Sequence, residues 1–317
     1  MKLGIRAATP REVVWTDDTS RLLRFRAEPP PGIAAADARG PIVLLVPSLI
    51  ERRLLFDLTP ASGAWLGVGA PHASLAGALI AAGLDVFCVD WSPLRERRRS
   101  RTTGWPEVVG AIGRARDAAL AIGHGDRAAV IGYSQGATLA IIDAALHPER
   151  ISALVNMAGP VDFSAPGLAA ALTDARWCDA DTLAALGGPP GLPLLTTRLP
   201  PETFRGWVKD FYQRNDLVAG RLRVAGQPVD LSRIDAPLLT VLPSHDGVCP
   251  TASARALATH AKSRVKDELR VPGGHITFIA SPTAPEALHA PLARWLAGHL
   301  SNPSPSATTS IPRGTLS

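Results

Sequence analysis

The chain has 317 residues, of which 46% are hydrophobic and 19% are charged, and its formal net charge is +5. This composition excludes a disordered or fibrous chain, because enough apolar side chains are present to build a sizeable core. A basic balance can attract nucleic acid or phosphorylated ligands. Acidic and basic residues are nevertheless mixed along most of the chain, which favours an ordinary polar surface, so we expect no nucleic-acid partner.

The cysteines and the apolar runs indicate in which cellular compartment the protein resides and whether it binds a metal. Cys88, Cys178 and Cys249 are far apart, and the chain has neither a CxxC pair nor another metal-ligand spacing. The N-terminal residues lack the apolar stretch of a signal peptide, and no uncharged run is long enough to span a membrane. We therefore expect a cytoplasmic protein with no metal, no cofactor and no integral membrane segment.

The predicted elements alternate along the chain. Residues 12–17 and 21–27 are rich in β-forming side chains and predict an opening hairpin. Apolar runs typical of buried strands then alternate with stretches of helical periodicity. Further strands are predicted at 41–48, 84–91, 127–134, 151–160, 236–243 and 266–271, and helices at 72–82, 105–123, 135–147, 251–262 and 285–300. This alternation predicts an α/β fold with a doubly wound, mostly parallel sheet.

Residues 161–233 break the alternation. They contain proline- and glycine-rich stretches, helical pieces and several large aromatic side chains, and we interpret them as a short cap inserted on the sheet. The core is then predicted to comprise residues 1–160 and 234–300. Residues 301–317 are rich in serine, threonine and proline and have no core-forming pattern, which predicts a disordered tail.

The stretch GYSQG (132–136) fits the pattern G-x-S-x-G at the point where a predicted buried strand meets a predicted helix. A nucleophile elbow requires this context, because the glycines permit a sharp turn and the start of the helix favours developing negative charge. Ser134 is therefore the candidate nucleophile. The alternative is a serine that only caps the N-terminus of the following helix.

A serine nucleophile needs a base and an acid that orients the base, and here they are expected in the chain order serine, acid, histidine. Asp246 follows the predicted strand 236–243, and His275 follows the last predicted strand, directly after two glycines. Asp246 could instead form an Asx turn or cap the next helix, and His275 could be a simple turn residue. His245 is the rival base, but it precedes the acid in the chain.

The roles follow from charge. His275 would accept the proton of Ser134, and Asp246 would orient the imidazole and stabilise the imidazolium. The oxyanion hole would take the backbone N–H of Gln135 and, from the loop after the first parallel strand, that of Leu49.

Several longer segments together resemble the polyhydroxyalkanoate synthases, enzymes that polymerise hydroxyacyl-CoA thioesters. The segments are 46–60, 83–93, 159–167, 222–250 and 273–279. This resemblance implies an α/β-hydrolase fold and an acyl ester or acyl-CoA thioester as substrate. It also implies Ser134, Asp246 and His275 as the positions of nucleophile, acid and base.

The chain departs from that family's pattern in two ways. The family's nucleophile is a cysteine in a G-x-C-x-G box, and residues 161–233 are short beside the family's lid. A thiolate forms readily beside histidine, and its thioester matches a CoA thioester in energy, whereas a serine ester is commonly resolved by water. We therefore expect a hydrolase or simple acyltransferase. A true synthase and a non-catalytic binding protein on the same fold are the alternatives.

Three further features have two interpretations each. The basic run 95–101 could bind the phosphates of CoA at the ligand-binding edge of the sheet or be a solvated loop. Large aromatic side chains could line an acyl tunnel or pack the core, and these are Trp91, Trp177, Phe204, Trp207 and Phe211. The chain could act as a monomer or as a homodimer.

Overall fold

The structure, a computed structural model, describes residues 9–26, 40–49, 53–58, 73–96, 102–185 and 199–300. The tail expected at 301–317 lies outside these residues. The strands are β1 (Arg11–Thr16), β2 (Arg21–Phe25), β3 (Ile42–Val46), β4 (Asp57–Leu58), β5 (Ala73–Ser74), β6 (Asp85–Asp90), β7 (Ala128–Tyr133), β8 (Ile151–Met157), β9 (Arg223–Val224), β10 (Gln227–Pro228), β11 (Leu238–Pro243) and β12 (Lys266–Val271).

The α-helices are α1 (Leu75–Ala81), α2 (Ser92–Glu96), α3 (Trp105–Gly123), α4 (Gln135–Leu146), α5 (Leu168–Leu172), α6 (Ala180–Ala185), α7 (Pro201–Gly206), α8 (Thr251–His260), α9 (Thr277–Ala280) and α10 (Ala290–Leu300). Short 3-10 helices span Arg53–Phe56, Pro148–Arg150 and Leu231–Arg233. π-helical turns span Trp207–Gln213 and Pro285–His289.

The described strands form one eight-stranded sheet and two small ribbons. The large sheet has the order β1-β2-β6-β3-β7-β8-β11-β12. Its β1–β2 and β2–β6 pairs are antiparallel, and every pair from β6 to β12 is parallel. The predicted α/β fold with a doubly wound, mostly parallel sheet is confirmed, because apolar strands joined through helices have only this way to bury both faces.

Apolar side chains fill the space on both faces of the sheet. Val130 of β7 joins the cluster beneath α3 and α4, whereas Ile131 and Tyr133 face the cluster beneath α1 and α10. This two-residue period places successive β7 side chains in opposite layers. Each fully buried aliphatic side chain contributes about 1.5 to 3 kcal/mol to stability.

Several predicted elements have other bounds in the structure, and three of them have a clear local reason or replacement. The helix expected from 72 begins at Leu75, because β5 pairs with β4 and the Ser74 side chain caps the helix by accepting the N–H of Gly77 at 2.9 Å. The strand expected to reach 160 stops at Met157, since Ala158 has a φ of 50°. The last helix is preceded by a separate π-helical turn.

The strand order creates a crevice at the carboxyl end of the sheet. The chain passes from β3 outward to β6 and returns on the other side of β3 to form β7. The loops after β3 and β7 therefore diverge at a topological switch point, where α/β sheets bind ligands.

Residues 161–233, the predicted cap, contain only short elements in their described parts. Helices α5, α6 and α7 lead into the π-helical turn and the β9–β10 ribbon. Phe163, Trp207, Phe211 and Tyr212 pack on one another with ring centroids between 4.5 and 5.8 Å apart. Because this aromatic cluster also reaches Trp105 of α3, it joins the segment to the sheet domain. The division into core and cap stays a prediction.

Candidate active site

Ser134 occupies a strained turn between β7 and α4. Its φ of 55° and ψ of −128° lie in a region that L-residues rarely adopt. A Cβ on Gly132 would lie 2.3 Å from the Cα of Ala137, so only glycine allows the strand and helix to approach this closely. Ser134 makes no side-chain capping bond to α4, which contradicts the alternative of a simple N-cap serine.

The start of α4 lies against the end of β3. A Cβ on Gly136 would lie 2.4 Å from the carbonyl oxygens of both Val46 and Pro47. Ser48 is buried and donates to the Oε1 of Gln135 at 3.5 Å. Both proposed oxyanion donors therefore lie on segments that meet at the switch point, since buried Leu49 follows Ser48 directly. Their role in an oxyanion hole stays a prediction.

The loops that follow β11 and β12 are joined by backbone hydrogen bonds. His245 donates its N–H to the carbonyl of Gly273 at 2.9 Å, and the N–H of Gly273 reaches the hydroxyl of Ser244 at 3.1 Å. Gly273 has a φ of 119°, a conformation that favours glycine. These bonds bring Asp246 and His275 together although they lie on different loops.

Ser134, His275 and Asp246 form a continuous chain of hydrogen bonds. The Nε2 of His275 lies 2.9 Å from the Oγ of Ser134, and the Nδ1 of His275 lies 2.8 Å from the Oδ2 of Asp246. The side chains of Asp246 and His275 are 1% and 8% exposed, which protects their contact from water. The structure thus brings together the three residues selected from the sequence.

Asp246 also forms the Asx turn considered as an alternative. Its Oδ1 accepts the N–H groups of Val248 and Cys249, each at 2.8 Å, while Oδ2 faces His275. The two interpretations are therefore compatible, because the turn fixes the carboxylate that orients the imidazole. The rival base His245 is exposed and its Nδ1 pairs with the hydroxyl of Ser244 instead.

Sequence reasoning did not identify a long-range contact of Tyr133, the residue that precedes the candidate nucleophile. Its hydroxyl donates to the backbone carbonyl of His275 at 2.8 Å, across 142 positions of the chain. No local pattern reveals this contact, since it depends on how two distant loops pack.

Cys249, near the candidate acid, is a poor rival nucleophile. Burial raises the pKa of its thiol well above the ordinary value, and the negative charge of Asp246 adds to the effect. A thiol that stays protonated is neither a strong nucleophile nor a metal ligand. Within the described ranges, no group of histidine, cysteine and acidic side chains could hold a metal ion.

The structure locates some of the large aromatic side chains and leaves the side chains of the basic run undescribed. Trp91, Trp207 and Phe211 pack in the core, and the indole N–H of Trp91 donates to the carbonyl of Pro47 at 3.0 Å. Trp177 is 61% exposed, and its indole N–H donates to the carbonyl of Ala171 at 2.9 Å. The side chains of the basic run 95–101 lie outside the described residues. Of the helices that the structure describes, none is long and apolar enough to cross a membrane.

Proteins of similar sequence are polyester polymerase subunits. The chain is 26% identical over 332 residues to the poly(3-hydroxyalkanoate) polymerase subunit PhaC of Thiocystis violacea, and 28% identical over 331 residues to that of Allochromatium vinosum. Each match covers 91% of this chain and 88% of the relative. No family model matches the chain.

Solved structures of similar fold include hydrolases. A monoacylglycerol lipase from Paleococcus ferrophilus matches with a TM-score of 0.54 and 22% identity, covering 82% of this chain and 96% of that one. Est1E from Butyrivibrio proteoclasticus also matches with a TM-score of 0.54, at 14% identity, over 92% and 99% of the two chains. The sheet order, the elbow and these likenesses define an α/β-hydrolase fold. The polymerase relatives confirm the resemblance to polyhydroxyalkanoate synthases inferred from the sequence motifs.

Proposed function

We propose that the protein is a serine-nucleophile hydrolase or acyltransferase that acts on ester or thioester acyl groups of the hydroxyalkanoate type. The observation that carries the proposal is the hydrogen-bonded chain of Ser134, His275 and Asp246 on a strained elbow. The kinship with polymerase subunits that work on poly(3-hydroxyalkanoate) supports the substrate class.

The reaction starts with an acyl carbonyl bound above Ser134. The Oγ attacks the carbonyl carbon while the Nε2 of His275 accepts the hydroxyl proton, and Asp246 stabilises the resulting imidazolium. The backbone N–H groups of Gln135 and Leu49 would stabilise the oxyanion. The tetrahedral intermediate then expels an alcohol or thiol, which takes the proton from His275 and leaves an acyl ester on Ser134.

The second half-reaction decides between hydrolysis and chain growth. His275 takes a proton from water or from an acceptor hydroxyl, whose oxygen attacks the acyl ester and releases Ser134. An oxygen ester on serine has nearly the same energy as the ester bond of a polyester, so transfer to a growing chain has little driving force. Water is the abundant acceptor, and hydrolysis or transfer to a small acceptor is therefore favoured over polymerisation.

The test is turnover of a short acyl ester and of hydroxybutyryl-CoA by Ser134→Ala. Removal of the nucleophile should lower kcat by about four orders of magnitude or more. Ser164→Ala is the matched control, because its hydroxyl lies on the exposed part of residues 161–233, bonded to Asp162. Turnover by Ser134→Ala at the rate of the control would remove Ser134 from the mechanism.

Polymer synthesis is a second candidate, favoured by the sequence similarity to poly(3-hydroxyalkanoate) polymerase subunits. Product analysis separates the two functions, because hydrolysis of hydroxybutyryl-CoA yields free acid and CoA, whereas synthesis yields insoluble polyester. Ser134→Cys tests the chemical reason, since a thioester on cysteine retains the energy needed for transfer to a hydroxyl. This variant should form less free acid per CoA released than the wild type. If the wild type formed polymer, the hydrolytic proposal would be wrong.

A binding protein without catalysis is the remaining alternative. It requires that Ser134 is unreactive, and a fluorophosphonate probe reacts with activated serines. Absence of labelling at Ser134 in folded protein would favour this alternative, and labelling that Ser134→Ala abolishes would exclude it.

A further inference from the structure

We propose that Tyr133 is a positioning residue that couples the candidate nucleophile to its base. The inference rests on the proposed function, because it assigns Tyr133 a role in the same reaction. Tyr133 immediately precedes Ser134, and its hydroxyl donates to the backbone carbonyl of His275 at 2.8 Å. One residue of β7 therefore holds the main chain that carries the imidazole.

The backbone N–H groups at the start of α9 donate to carbonyls other than that of His275. The N–H of Phe278 donates to the carbonyl of Gly274, and the N–H groups of Ile279 and Ala280 both donate to that of Ile276. The hydroxyl of Tyr133 is therefore the hydrogen-bond donor to the carbonyl of His275, in place of an N–H from the first turn of α9. A fully buried carbonyl that loses its donor costs about 1 to 3 kcal/mol, and this partly buried carbonyl would lose part of that amount, which favours a shift of the segment.

The segment that carries His275 is held on its N-terminal side, where Gly273 bonds to the loop of Ser244 and His245 and the N–H of Gly274 donates to the hydroxyl of Thr277 at 2.8 Å, and the hydroxyl of Tyr133 adds a bond at His275 itself. It begins with two glycines, and Gly273 adopts a φ of 119°. Ile276, on the other side of His275, is 39% exposed. Since glycine has more backbone freedom than any other residue, a fixed anchor on the carbonyl of His275 narrows the range of positions open to the imidazole.

The ring of Tyr133 is held firmly enough to serve as that anchor. The residue is fully buried, and its ring packs edge-on against Phe56 at 6.4 Å and beside Phe278 at 6.1 Å. It also lies 5.4 Å from the imidazole of His275. The backbone of the elbow is fixed as well, because the N–H of Ser134 donates to the carbonyl of Met157 at 2.9 Å. Because Tyr133 is in β7, this anchor fixes both Ser134, its neighbour in the chain, and His275, its hydrogen-bond partner, relative to the same strand.

The test compares Tyr133→Phe with Tyr212→Phe. The chain has two tyrosines, and Tyr212 packs on Phe163 in the aromatic cluster of residues 161–233, so its variant removes a hydroxyl without touching His275. We expect Tyr133→Phe to lower kcat about 10-fold with KM within twofold, since a small misplacement of a reacting group lowers the rate steeply. Tyr212→Phe should match the wild type.

Two measurements distinguish a positioning role of Tyr133 from a loss of folded protein in the variant. First, kcat is expressed per site titrated with fluorophosphonate, so unfolded molecules do not count. Second, the low-field proton NMR signal of the His275 Nδ1–H bonded to Asp246 should shift or broaden in Tyr133→Phe and stay unchanged in Tyr212→Phe. Equal kcat per titrated site and an unchanged signal in Tyr133→Phe would overturn the inference. If Ser134 of the wild type were not labelled, the proposed function would fail, and the NMR signal would still decide whether Tyr133 positions His275.

Discussion

The carboxyl edge of the sheet and residues 161–233 are built by different interactions. At the edge, fully buried strands, close backbone contacts at Gly132 and Gly136, and hydrogen bonds between loops fix each group. In the described part of residues 161–233, short helices are held by one aromatic cluster and by charged side chains at the surface. Asp181 of α6 accepts from Lys209 at 2.7 Å and Arg205 at 3.5 Å, and such exposed pairs contribute little to stability.

This difference separates the two demands on an acyl-transfer enzyme. Catalysis requires that reacting groups be held within a fraction of an ångström, and the edge of the sheet can do so because its atoms are buried and bonded. The described part of residues 161–233 relies more on exposed ion pairs, which contribute less to stability than buried contacts do. We therefore expect chemistry to depend on the first region, and stability and acyl preference to depend also on the second.

Among the changes that test this comparison, the largest effect is expected from Asp246→Asn at the edge of the sheet. The amide oxygen can still accept the N–H groups of Val248 and Cys249, so the turn should persist, but the imidazolium of His275 loses its countercharge. We expect kcat to fall by about three to four orders of magnitude. Asp230→Asn is the control, since Asp230 makes a similar turn by accepting the N–H of Ser232 at 2.9 Å. A smaller loss, similar to that of the control, would mean that Asp246 only shapes its loop.

A smaller effect, on stability, is expected from His289, which belongs to the sheet domain and not to residues 161–233. Its side chain is buried, its Nε2 has no hydrogen-bond partner within the described residues, and burial lowers its pKa to about 4. Because the unfolded chain binds this proton near pH 6.5, the free energy of unfolding should decrease as the pH falls from about 6.5 to about 4. The loss should reach about 3 kcal/mol.

His289→Leu should remove this pH dependence, and urea unfolding at pH 7 and pH 4.5 would measure it. His260→Gln is the control, because His260 is exposed on α8. The hydrogen bonds from Lys209 to Asp181 and from Arg205 to Glu202 lower the pKa of each carboxyl group. Their stabilisation is present above the unfolded pKa near 4 and is lost only below it. An unchanged pH dependence in His289→Leu would contradict this assignment.

The smallest effect on stability is expected from a change at the contact between the sheet domain and residues 161–233. The indole N–H of Trp105 on α3 donates to the Oδ2 of Asp210 at 2.6 Å, and its ring lies 5.3 Å from that of Phe211. Trp105→Phe removes the hydrogen bond and part of the ring, and the free energy of unfolding should fall by about 1 to 2 kcal/mol. The kcat for a short acyl ester should stay within about twofold, because the triad is untouched.

Trp295→Phe is the matched control for that variant, since the indole of Trp295 donates to Asp267 at 2.7 Å on the outside of the sheet domain. The exposed hydrogen bond of Trp295 should matter less to stability than the partly buried bond of Trp105. A large fall of kcat in folded Trp105→Phe would show that the two regions are not independent.

Much of the fold could be predicted because local sequence decides it. The apolar runs of β3, β6, β7, β8 and β11 have one way to be buried, and the helix predicted at 105–123 has the same bounds as α3. Ser134, Asp246 and His275 were found because each follows a predicted strand, and parallel strands bring their carboxyl ends to one edge.

The parts that were missed depend on contacts between distant segments. The bond from Tyr133 to His275 and the pairing of β4 with β5 have no local signature. Residues 161–233 resisted detailed prediction because charged and aromatic side chains from separate helices hold them, and helices of five or six residues carry too little periodicity to be recognised. Asp246 had two interpretations because a single carboxylate has two oxygens, each with its own partner.

The central claim is that Ser134 carries the acyl group during turnover. The most direct measurement is intact-mass and peptide mass spectrometry of the protein quenched with acid during steady-state turnover of hydroxybutyryl-CoA. We expect a hydroxybutyryl adduct on the peptide that contains Ser134, and its disappearance as free acid forms. Turnover with no adduct at Ser134, or with an adduct on another residue such as Cys249, would contradict the claim.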